Sequence, residues 1–92
     1  MIVPAYCRTL NGRVFRLVRT SEMVAPDRVR YVLRAESITT SDTSNNWELA
    51  REVDAELIRD KIANNQAIPT PESTYEALWS QLRVEIDARD GG

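Results

Sequence analysis

"RVRYVLR", residues 28–34, alternates apolar and basic side chains. On an extended chain Val29, Tyr31 and Leu33 fall on one side, and Arg28, Arg30 and Arg34 on the other. Period two is the signature of a half-buried antiparallel strand. Such a strand needs a second apolar layer, and residues 74–86, "TYEALWSQLRVEI", supply it. There Tyr75, Leu78, Trp79, Leu82 and Ile86 recur at spacings of three and four, one stripe of an amphipathic helix. One strand face under one helix stripe is the frame on which the remaining segments are placed.

Upstream, "TLNGRV" holds Asn11-Gly12, the strongest short signal for a two-residue hairpin. Taken so, it pairs Leu10 with Arg13, Arg8 with Phe15, Tyr6 with Leu17 and Pro4 with Arg19. Both resulting faces are mixed, and the pattern does not say which is buried. "VAPDR" is a second turn, with Pro26 presetting φ. "SDTSNN" (41–46) reads as a polar loop. "WELAREV" (47–53) suits a strand through Trp47, Leu49 and Val53, or a helix extended upstream. The strand is favoured because Asp54 looks like an N-cap, with Val53 and Ile58 at the staple positions. A helix is expected over about 55–66, with Leu57, Ile58 and Ile62 on one side. The last helix begins after Thr70 or Ser73, with Pro71 suited to its first position and Ser73 with Glu76 as a capping box. The expected architecture is α+β: a three- to four-stranded antiparallel β-meander, then two α-helices packed on one face.

Ninety-two residues make one domain, 1–92. Charge divides it into a β-rich basic part, 1–53, and a helical acidic part, 54–90. The net charge is −2, yet residues 1–40 carry seven Arg against Glu22, Asp27 and Glu36. Residues 41–92 carry five basic against eleven acidic residues. Of twelve basic residues only Lys61 is lysine, and Arg is the better fork for phosphates and carboxylates. Such asymmetry points to a nucleic-acid or charged-protein partner. The candidate contact residues are Arg8, Arg13, Arg16, Arg19, Arg28, Arg30 and Arg34, with Asn45 and Asn46 at a loop tip. Arg residues two apart on a strand stand about 6.5–7 Å apart, close to the phosphate spacing of a nucleic-acid strand. Pairing of these arginines with the chain's own acidic helices is the competing reading.

Enzymatic chemistry finds little support. The chain has no His, a single cysteine, Cys7, and three glycines, so phosphate-cradling loops, Cys/His metal clusters and His-assisted nucleophiles cannot be assembled. No cofactor, metal or small-molecule substrate is expected. No run approaches the roughly 20 apolar residues of a membrane span, and the N-terminus lacks signal-peptide character. A cytoplasmic protein that binds no membrane is expected.

In size, acidic balance, compact α+β character and want of catalytic motifs, the whole chain resembles small phage-encoded anti-CRISPR proteins. It is most similar to inhibitors of the type I-F surveillance complex, which share no diagnostic motif. The resemblance implies a non-enzymatic, stoichiometric inhibitor in a bacterial host cell. Its partner would be a multisubunit CRISPR-Cas complex, Cas proteins and possibly its crRNA, with target DNA binding or hybridisation blocked. The alternative is a small regulatory or assembly subunit that binds a host protein or forms a homodimer through its sheet.

Overall fold

The computed structural model describes residues 2–39, 46–67 and 69–90. Four strands, β1 (Tyr6–Arg8), β2 (Val14–Ala25), β3 (Arg28–Ser37) and β4 (Trp47–Asp54), precede two helices, α1 (Ala55–Ala63) and α2 (Pro71–Asp90). The strands form one antiparallel sheet in the order β1-β2-β3-β4. This is the expected α+β meander followed by two helices.

The first hairpin differs from its sequence reading. Tyr6 faces Arg16, Cys7 faces Phe15 and Arg8 faces Val14, one residue out of the expected register. The cause is a longer loop. Thr9 N donates to Arg13 O (2.8 Å) and Gly12 N to Thr9 O (3.0 Å), so Leu10, Asn11 and Gly12 all lie in the connection. Gly12 takes the left-handed conformation (φ 88°) of a three-residue loop. Thr9 fixes the alternative: its hydroxyl bonds Asn11 Oδ1 (2.5 Å) and accepts from Arg13 N (3.0 Å). A slip of one residue exchanges the faces. It sets Cys7 beside Phe15, both buried, on the side that also holds Val3, Thr9 and Leu17.

At the second turn Ala25 pairs with Arg28 across Pro26 and Asp27, and the register slips between Met23 and Ala25. Pro26 cannot take the positive φ of the hairpin turns that match strand twist, and a bulge absorbs the mismatch. Residues 47–54 form a strand, as favoured, aligned with β3 from Arg28↔Asp54 to Ala35↔Trp47.

Asp54 is the N-cap of α1, its carboxylate accepting from Glu56 N (2.8 Å). Val53 and Ile58, the two staple positions, line one small cavity with Pro26 and Val29. The helix stops at Ala63, three residues before its expected end. Asn65 turns left-handed (φ 60°), with Gln66 N bonding Lys61 O (2.8 Å) and Asn65 N bonding Ile62 O (3.1 Å). That pair of bonds is the Schellman termination with asparagine in the glycine role. The expected apolar side of α1 is reduced to Ile58, because Leu57 and Ile62 are exposed. In α2 the cap is Thr70 with Ser73, not Ser73 with Glu76. Ser73 N donates to Thr70 Oγ1 (3.1 Å) and Thr70 N to Ser73 Oγ (2.9 Å), with Pro71 as first helical residue.

The core lies between α2 and one sheet face. Tyr75, Leu78, Trp79, Leu82 and Ile86 are all buried against Phe15, Leu17, Leu33 and Ala35. Tyr31 and Tyr75 meet edge to face at 5.6 Å. No helix among the described residues is long and apolar enough to cross a membrane.

Candidate functional site

The apolar residues of "RVRYVLR" turn towards α2, so Arg28, Arg30 and Arg34 project from the opposite sheet face. Among the described residues no element lies over that face. Register places Tyr6, Arg8, Val14, Arg16 and Val18 on it from β1 and β2, followed by Thr20 and Glu22. From β4 it receives Glu48, Ala50, Glu52 and Asp54.

The arginines do not stand alone there. Arg16 lies opposite Glu36 and bonds it at 2.5 Å. Arg30 lies opposite Glu22 (3.3 Å), and Arg34 opposite Glu48 (3.9 Å) with Glu36 at 3.0 Å on its own strand. Arg28 reaches Glu52 diagonally at 3.7 Å. Opposite charges facing one another across strands support register. Each exposed pair contributes only about 0–1 kcal/mol. The hydrogen bond from Arg16 holds the Glu36 carboxyl below the usual range. The face carries Arg8, Arg16, Arg28, Arg30 and Arg34 against Glu22, Glu36, Glu48, Glu52 and Asp54, and so balances. It is a checkerboard of guanidinium and carboxylate, not a basic stripe.

The other expected contact residues are dispersed. Arg19 sits on the helix side of the sheet, 3.1 Å from Glu72 and with its guanidinium 5.8 Å from the centre of the Tyr75 ring. Arg13, which closes the hairpin loop opposite Thr9, has its guanidinium 5.0 Å over the Phe15 ring. Asn46 is structural: its Oδ1 accepts from Ser37 N (2.9 Å), closing the β3–β4 connection. Asn45, like the rest of 41–45, lies outside the described residues. Arg8 is exposed on the open face, and its main-chain carbonyl accepts from Arg83 Nη1 (2.7 Å).

Sequence reasoning missed the carboxylate half of the checkerboard. On a strand, positions 48, 52 and 54 share a face, and that signal was legible once 47–53 was assigned as strand. It also missed Arg83, whose guanidinium bonds Cys7 Sγ (3.0 Å), the Arg8 carbonyl and Asp87 (2.8 Å). Among the described residues no group of three or more His, Cys, Asp or Glu side chains could hold a metal ion.

These features define a class: a small α+β protein with one sheet face covered by a helix and a charge-balanced face left open. No protein-family model, curated protein or solved structure matches the chain.

Proposed function

We propose that this chain is a non-enzymatic binding protein that acts as a stoichiometric inhibitor of an RNA-guided CRISPR surveillance ribonucleoprotein. It docks through the open sheet face and blocks target DNA binding or hybridisation. The choice of partner rests on the resemblance in size, charge and architecture. The observation that supports docking is the checkerboard itself. Its charged groups project from strands, so the backbone register sets their spacing before a partner binds. A ribonucleoprotein exposes phosphates beside basic protein grooves, and a surface bearing both signs complements both. Free single-stranded nucleic acid is a poorer match, because the guanidiniums already hold carboxylates and Tyr31 is on the covered face.

The test is co-purification with an assembled type I-F surveillance complex. Arg28→Ala, Arg30→Ala and Arg34→Ala together remove the guanidiniums without adding further carboxylates opposite Glu22, Glu48 and Glu52. Loss of capture with an unchanged circular dichroism spectrum is expected, and capture at native strength overturns the reading.

Charge balance also favours a second reading, a regulatory or assembly subunit that meets a host protein or its own copy through this face. Opposite charges in alternation are self-complementary under a two-fold axis. A molar mass that doubles with concentration in size-exclusion chromatography, together with failure to bind the surveillance complex, selects it.

A further inference from the structure

Among the described residues the sheet has two outer edges, one on the β1–β2 side, where residues 21–24 are exposed, and one along β4. The part of β2 that runs beyond β1 has its Thr20 carbonyl engaged by the Tyr75 hydroxyl, which donates to it. Among the described residues no strand lies on the outer side of β4, and Glu48, Ala50, Arg51, Glu52 and Asp54 are exposed. An uncovered edge of eight residues is a template for strand addition.

The side chains along β4 specify what can be added. On the open face they are Glu48, Ala50, Glu52 and Asp54. Glu48 and Glu52 are each about half exposed, 49% and 51%, and their ion pairs are long, 3.9 and 3.7 Å, so carboxylate oxygens remain for a second partner. An antiparallel copy of β4 would set this acidic row against itself, which is unfavourable. A strand with basic residues at alternate positions would meet it as β3 already does from the other side, Arg28, Arg30 and Arg34 facing Asp54, Glu52 and Glu48.

On the helix side the edge is flanked by a groove of about 520 Å³, lined by Val53, Leu57, Ala67 and Pro69, with Arg51, Lys61 and Glu52 as its charged lining residues. Apolar side chains of an added strand find a floor there, while basic ones meet two cations, Arg51 and Lys61, against the single carboxylate of Glu52. The two sides of the edge therefore ask for opposite chemistry, which fixes the incoming register.

We propose that the free edge of β4 captures an extended segment of a partner protein by strand addition. That segment alternates basic side chains, facing Glu48 and Glu52, with apolar side chains facing the groove. This goes beyond the surveillance-complex reading and does not depend on it.

The probe is a synthetic peptide of the sequence RVRYVLR, which repeats the chain's own β4-pairing strand. Its control has the three arginines replaced by glutamate. Amide hydrogen exchange of the whole protein is expected to slow at residues 47–54 with the basic peptide and not with the acidic one. Glu48→Gln with Glu52→Gln is expected to weaken binding about three- to tenfold, two lost cross-strand charge pairs. Three results each overturn the proposal: no binding of the basic peptide to the wild-type protein, equal affinity for both peptides, or protection that falls outside β4. The two-peptide comparison uses only wild-type protein and does not depend on folding of the variant.

Discussion

Cys7 shows how one residue's environment departs from its type. Its thiol is buried beside Phe15, and burial pushes its pKa up, although Arg83 Nη1 at 3.0 Å opposes that rise. A protonated, covered thiol reacts only when the chain opens. Labelling of the native protein by a thiol reagent is expected to be at least about a hundredfold slower than in denaturant, as for a local opening free energy of about 3 kcal/mol. Fast native labelling would contradict the packing of β1. The burial of Cys7 depends in turn on the register set by Thr9 and Gly12. In "TLNGRV" the Asn-Gly pair points to a two-residue turn, yet the loop takes three residues. The Thr9 hydroxyl bonding back to Asn11 and Arg13 decides it, and that contact exists only in the folded loop.

Among the elements, α2 is the one that makes the sheet a domain. Leu82 and Ile86 have no exposed surface, so truncating either leaves a hole in a core with few other buried residues. Leu82→Ala is expected to cost about 2–5 kcal/mol, read as a lower urea midpoint with little change in slope. Three arginines fix how α2 lies on the sheet. Arg19 joins β2 to Glu72 near the helix start, and Arg83 joins its middle to β1. Near its end Arg89 covers the Trp47 ring at 4.3 Å. The apolar stripe was legible because Tyr75, Leu78, Trp79, Leu82 and Ile86 repeat at helical spacing. The arginine ties were not, since each joins residues more than forty positions apart. For α1 the stripe was over-read: Leu57 and Ile62 lie in periodic positions, yet only Ile58 is carried against the sheet.

In the whole molecule, the division into a basic and an acidic half holds along the chain but not in space. β4 belongs to the acidic half and pairs with β3, which cancels the arginine face. Glu36, between Arg16 and Arg34, reports this electrostatic arrangement. Its pKa is lowered first by the bond from Arg16, so the folded state gains while the carboxylate is charged. That gain is complete above the unfolded carboxylate pKa and is lost as pH falls through the lower folded value. Glu36→Gln is therefore expected to lower the melting temperature near pH 7 and to match the wild type near pH 2. A difference that persists in acid would show that Glu36 acts through packing instead. The sequence by itself determined the alternation of β3, the helical stripe of α2, the strand–helix junction at Asp54 and the α+β order of elements. Those depend on side-chain periodicity and local capping, which neighbouring residues settle among themselves. The tertiary structure alone decided the hairpin register, which face of β1 is buried, and that a carboxylate stands beside Arg16, Arg28, Arg30 and Arg34. Those depend on which strands become neighbours and in what alignment, and strand pairing is set by contacts between residues far apart in the chain.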